Sequence, residues 1–318
     1  MKEKIFYFSD KKGVLEISFG WLFAIIAGAV ILFLAIYLGS QIIGSSNEAT
    51  SAEVGKEISI LLNPLETSFE TAQTTSITVS AETRIDNICS DESPFGKQSL
   101  QVDQKRFNEW TQTDTKVSSY NKYIFSKQQV EGKTFYLFSK PFDFPFKIAN
   151  LIYLTSKDEV YCFVNPPSEI KQEILNLNQE NLVVDNCTKG DIKVCFTTSG
   201  SCDIKVYDNL GFLEKGQETF YFDGIENSTA LMYAAIFSDK EVYECQVKRL
   251  MLRLKELSLI YYDKGVMERK NSCDEMGNTL TSLSNIANSL NNSEEISFVK
   301  EFAEKAQEEN NARRCLLW

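Results

Sequence analysis

The chain of 318 residues contains no histidine. That removes the one side chain that titrates near neutral pH unaided, the Ser/His/Asp and Cys/His nucleophile systems, and every zinc site that uses imidazole. A catalytic centre would have to be built from carboxylates, lysine, cysteine or tyrosine. The sequence also has no P-loop, no G-x-G-x-x-G, no G-x-S-x-G and no EF-hand loop. There is no C-x-x-C, which argues against a thioredoxin-like redox pair and against paired zinc knuckles. Basic residues are outnumbered, 33 against 44 acidic, for a net charge of −11. Phosphate backbones are held by clustered Lys and Arg, so no nucleic-acid partner is expected. No cofactor and no metal are expected either.

Charge is missing altogether from residues 17–47, whose apolar core runs from Trp21 to Leu38 and extends to Ile43. About 20 helical residues cross a bilayer core, so the lipid bilayer is the first partner to expect. Trp21 and Tyr37 stand near the two ends, where amphipathic rings favour the headgroup zone. Lys2, Lys4, Lys11 and Lys12 precede the run, whereas Lys56 is the only basic residue in the twenty that follow Ile43. The positive-inside bias predicts a cytoplasmic basic flank over 1–16, a single transmembrane helix over 17–43, and the rest of the chain outside the cell membrane. Along the predicted helix Ala24 and Gly28, then Ala35 and Gly39, form two small-xxx-small pairs of the kind that lets helices approach closely in lipid. They are read either as ordinary membrane-helix composition or as a seam for self-association.

The stretch KKGVLEISFGW at 11–21 adds a motif. Lys11-Lys12-Gly13 followed by Val14-Leu15-Glu16-Ile17 and the apolar run resembles the class III signal of archaeal type IV pilin-like proteins. The resemblance covers about the first 45 residues and implies cleavage between Gly13 and Val14 with the helix left attached. The glutamate usual in bacterial pilins stands fifth after the cut; here Ser18 holds that place and Glu16 stands third. The whole chain also looks like a family of uncharacterised archaeal membrane-anchored proteins, a resemblance that implies no activity.

All eight cysteines, Cys89, Cys162, Cys187, Cys195, Cys202, Cys245, Cys273 and Cys315, follow the apolar run. An even number confined to one side of a membrane reads as a disulfide framework in an oxidising compartment. Within NCTKGDIKVCFTTSGSC two of Cys187, Cys195 and Cys202 are expected to join in a hairpin, and Cys315 is expected to reach Cys245 or Cys273. Three sequons, at Asn186, Asn227 and Asn291, lie on the same side and mark sites open to glycosylation there.

Residues 44–66 show helical spacing at Val54, Ile58, Leu61 and Leu62 before Pro64, and predict a juxtamembrane helix. Over 67–318 an extracytoplasmic α+β domain is expected. Short β-branched and aromatic runs, SITVSAETRI, KYIFS, KTFYLFS and LIYLTS, predict strands, with Glu131-Gly132 read as a hairpin turn. The prolines of PFDFPF at 141–146 predict an edge or loop whose Phe142, Phe144 and Phe146 enter the core or form a docking patch. A helix over 168–182 with a serine N-cap comes next, then strands in DIKVCFT, DIKVYD and TFYFDG. The stripe Tyr243, Val247, Leu250, Leu254, Leu257, Tyr261 predicts a core-facing helix or a coiled coil. Leu280, Leu283, Ile286 and Leu290 mark another helix, and 296–307 a last one.

Chemistry is harder to place. Asp86, Asp143, Asp185, Asp203, Asp223 and Asp239 flank strands or turns, and no spacing singles out a catalytic pair; Met232 and Tyr233 fit a pocket or the core. The sequence therefore predicts an N-terminal transmembrane helix followed by a disulfide-containing domain of antiparallel strands with C-terminal helices. Its expected role is non-enzymatic, in pilin-like assembly or in binding other surface proteins, with a tethered hydrolase built on two carboxylates as the alternative.

Overall fold

A computed structural model describes residues 19–40, 55–56, 73–92, 95–106, 108–111, 116–196, 200–222, 229–268, 276–312 and 316–318. The chain divides into two units, Met1–Glu48 and Ala49–Trp318.

The first unit holds helix α1, Phe19–Ser40. It has 22 residues, and its most apolar 18-residue window has a mean hydropathy of 2.7 with no residue buried by protein. At about 1.5 Å per residue such a helix is as long as a bilayer core is thick. A helix apolar on every face is stable only where lipid or protein covers it. The cleavage position Gly13/Val14 lies outside the described residues, as does the predicted juxtamembrane helix over 44–66 apart from residues 55–56.

The second unit is built on two sheets. The first contains β1 (Gln73–Ser90), β2 (Lys97–Arg106), β3 (Glu109–Thr111), β4 (Lys116–Ser119), β5 (Tyr123–Phe125), β6 (Gln129–Asp143) and β7 (Lys147–Ser156). Their order is β3-β2-β1-β6-β7-β5, and β4 also pairs with β2. Because β4 joins one end of this order and β5, next in the chain, joins the other, the sheet curls toward a barrel. Ile124 of β5 thus shares an aliphatic core with Leu100 and Val102 of β2, together with Ile85, Val130, Leu137 and Leu154.

The second sheet runs β13-β12-β11-β10-β8-β9, from β8 (Tyr161–Val164), β9 (Leu182–Val184), β10 (Ile192–Cys195), β11 (Ile204–Tyr207), β12 (Phe212–Lys215) and β13 (Glu218–Tyr221). The expectation of antiparallel strands holds for seven of the eleven described pairings and fails for four. β8 is parallel to both β9 and β10, β10 is parallel to β11, and β5 is parallel to β7. The reason for one of these lies in the connection: helix α2 (Ser168–Leu177) returns the chain between β8 and β9, and a crossover of this kind brings a strand back in the same direction. The α+β class itself holds.

Smaller differences have local causes. Ser168 is the first residue of α2 and Pro167 occupies the N-cap position; the helix ends at Asn178, which takes a left-handed conformation at φ 50°. Gly132 is not in a turn. It lies within β6 at φ +154°, opposite the register shift between Thr78 and Thr83, where a Cβ would run into the Ser156 hydroxyl and come within 2.9 Å of Asp158 Oδ2. Phe142, Phe144 and Phe146 are all buried, so PFDFPF belongs to the core. Among the described residues Pro141 pairs with Asn150 of β7, and the described β1 pairs reach as far as Ser139.

Four helices complete this unit. α3 (Ala230–Phe237) is buried at every position, which places Met232 and Tyr233 in the core. α4 (Lys240–Met267) presents Tyr243, Val247, Leu250 and Leu254 inward, with Leu257 and Tyr261 packed against the same core. The predicted seam is therefore core-facing. α5 (Gly277–Ser289) and α6 (Ile296–Ala312) pack beside it.

Candidate functional site

The N-terminal end of α4 meets the far end of β1. Asp239, the N-cap residue, makes no capping bond within its own helix. Its Oδ2 instead accepts the Gln128 backbone N–H at 2.8 Å, and Glu241 Oε2 accepts Gln128 Nε2 at 2.5 Å. Two carboxylates are thereby held by one residue at the entry to β6. Between this turn, the last residues of β1 and the first of α4 lies an open groove of about 530 Å³. Its lining includes Asp86, Ile88, Gln101, Lys127, Asp239 and Glu241.

The groove is polar and acidic. Burial pushes the Asp86 carboxyl above the usual carboxylate range, against a smaller opposing pull from Arg84. The Arg84 guanidinium stands 3.7 Å from Asp86 but donates its short hydrogen bond, 2.8 Å, to Asp103. Lys127 pairs with Glu159 at 2.7 Å. Behind Asp239, half-buried Lys215 donates from Nζ to the Ser238 carbonyl at 2.6 Å and lies 4.7 Å from the centre of the Phe220 ring. Desolvation lowers its pKa to about 7, with Asp239 opposing the fall.

Beneath the groove a chain of buried amides closes the end of the curled sheet. Asn87 donates to the Ile124 carbonyl at 3.0 Å and to Ser126 Oγ at 2.8 Å. Gln98 donates to Asn87, and Gln246 of α4 donates to Gln98 and, at 3.1 Å, to the Ile124 carbonyl. Arg249, one turn further along α4 and fully buried, donates to Gln246 Oε1 at 2.7 Å and to the carbonyls of Phe95, Tyr120 and Lys122 at 2.9–3.2 Å. Those acceptors are all neutral, so burial lowers the Arg249 pKa to about 10. Gly96, at φ +61°, is required beside it: a Cβ there would lie 2.5 Å from Arg249 Cγ. Periodicity could not reveal this device, because Gln246 and Arg249 occupy the same inward face as Val247 and Leu250.

Six cysteines form three disulfides, Cys89–Cys245, Cys162–Cys187 and Cys195–Cys202. The short link among the clustered cysteines is thus Cys195–Cys202, but it follows a strand parallel to its neighbour and is no hairpin. Cys245 joins Cys89 at the groove, which removes it as the partner of Cys315; Cys273 and Cys315 lie outside the described residues. Of the six aspartates, Asp86 and Asp239 share the groove. Asp185 binds Lys171 at 3.0 Å, Asp203 accepts the Lys193 N–H at 2.8 Å, and Asp143 ends β6. Asp223 lies outside the described residues, as does Asn227; Asn186 and Asn291 are exposed. Ala24, Gly28, Ala35 and Gly39 fall within about 60° of one another around α1 at 100° per residue. Both glycines have open space where a Cβ would stand.

Comparison of the chain with protein-family models, with curated proteins and with solved structures finds no match.

Proposed function

We propose that this is a single-pass membrane-anchored surface protein whose disulfide-bonded body lies outside the cell and serves partner binding or pilin-like assembly. The carrying observation is the one-sided distribution of the three disulfides: each lies on the C-terminal side of a helix long and apolar enough to cross a bilayer. The lysines before α1 supply the orientation, with the N-terminus in the cytoplasm. The common face of Ala24, Gly28, Ala35 and Gly39 supports lateral packing of α1 against other helices.

Protease added to intact cells tests the orientation: it should remove the body and leave the anchor, and full protection of the body would overturn the topology. The mass and N-terminal sequence of protein purified from native membranes test assembly. A start at Val14 supports processing after Gly13 and a filament or pseudopilus component; a start at Met1 or Lys2 leaves a plain anchor.

A second reading, a tethered hydrolase, draws on the upward-shifted Asp86 carboxyl in the same groove as Asp239. It requires turnover of aryl glycosides that is lost in both Asp86→Asn and Asp239→Asn.

A further inference from the structure

β1 outruns one of its partners. Its pairing with β6 ends at Asp86↔Gln129, while its pairing with β2 continues to Ser90↔Lys97. The Asn87 N–H still reaches the Gln128 carbonyl at 2.8 Å. Beyond that bond, the β6-facing edge of β1 joins no strand among the described residues. This edge, with the exposed Ile88 side chain, forms one wall of the groove, and the first turn of α4 forms the other. An open strand edge presents main-chain donors and acceptors to any extended segment laid beside it.

The charges around that edge select what the segment carries. Asp239 and Glu241 are held in place by Gln128, and the Asp86 carboxylate lines the strand wall of the same groove. Lys127 is already paired with Glu159, and Arg84, 3.7 Å from Asp86, gives its short bond to Asp103, so neither cation is paired with Asp239 or Glu241. Among the described residues no three acidic or cysteine side chains converge as metal ligands would. The carboxylates instead stand on two walls of the groove, Asp86 on the strand side and Asp239 with Glu241 on the helix side. Alternate side chains of a strand, about 7 Å apart on one face, suit such a distribution better than a single ion does.

We propose that the groove binds an extended segment of a partner protein that adds to β1 at residues 87–90 and sets lysine or arginine side chains against Asp86, Asp239 and Glu241. This rests on the reading of the body as a partner-binding domain and gives that partner a chemistry: an extended, basic stretch.

The test uses the full chain in detergent micelles and a fluorescent peptide of eight residues with lysine and threonine in alternation, followed by anisotropy. Two control peptides replace every lysine with glutamate or N-methylate alternate backbone amides. The lysine peptide should bind, each control should bind about tenfold more weakly or worse, and the double variant Asp239→Asn, Glu241→Gln should lose about tenfold for the lysine peptide. Both substitutions keep an oxygen for Gln128, and circular dichroism confirms the fold of the variant. The proposal is overturned if the lysine peptide does not bind. It is equally overturned if the lysine and glutamate peptides bind alike, if N-methylation has no effect, or if the folded double variant binds as the parent does. A failed topology test with intact peptide binding would remove the surface location alone, and the converse would remove the groove assignment alone.

Discussion

The two ends of α4 are held by different chemistry. Its N-terminal half adds to the ring contacts of Tyr243 a covalent link and directional bonds: the Cys89–Cys245 disulfide, the amides of Gln246 and Gln98, and the Arg249 guanidinium on three backbone carbonyls. Its C-terminal end is held by rings. Tyr261 packs 4.5 Å from Phe146 and 5.2 Å from Trp318, centre to centre, and Lys264 donates to the Leu317 carbonyl at 2.6 Å. Directional bonds fix a position but become costly when one partner is removed, whereas ring contacts tolerate displacement. The end of the helix with the covalent and directional bonds is thus the one that walls the groove.

The largest expected effect comes from breaking the polar end. Arg249→Ala would leave the carbonyls of Phe95, Tyr120 and Lys122 buried without their donor and should cost about 3–5 kcal/mol, read from urea denaturation of the body. A loss below 1 kcal/mol would show that water replaces the guanidinium. Replacing Cys89 and Cys245 together by serine opens a link between residues 156 apart in sequence. It should cost about 2–4 kcal/mol and exceed the effect of the same change at Cys195 and Cys202, only 7 apart. The ring end is expected to be softer. Trp318→Ala removes two ring contacts and the hydrogen bond from Nε1 to Gln307, and should cost about 1–2 kcal/mol because the indole is only partly buried.

A further effect is a pH dependence, spread over several pH units. The Lys215 pKa is lowered to about 7 in the folded state, whereas an unfolded lysine keeps about 10.4. Between these values the unfolded chain binds the extra proton, so stability rises with pH from about 7 towards 10 and the penalty of burying the ammonium is fully present below 7. Lys215→Met should flatten that rise over pH 7–9, measured as the difference between the two melting curves; parallel curves would show that the amine is solvated.

Much of the fold was legible along the chain because its signals are local. α1 is visible from residues 17–47 alone, and the stripe from Tyr243 to Tyr261 identifies the inward face of α4. α3 was harder to read: ALMYAAIF is apolar on every side, and eight uniform residues carry no period that separates helix from strand. Gly132 misled for a related reason. Glycine marks a turn in sequence, yet here it serves the close approach of Ser156 inside a long strand. The aspartates at 86 and 239 stand 153 positions apart, and no spacing rule joins them.

Residue identity alone sets an apolar helix of membrane length, the lack of imidazole chemistry, and the grouping of cysteines beyond that helix. Composition over a short window is enough for each of these. Strand order and direction, the partners of Cys89 and Cys162, and the groove were decided by tertiary structure alone. Each depends on which distant segments share a core, and that follows from how the curled sheet buries Ile85, Leu100 and Ile124 together and sets α4 across its end.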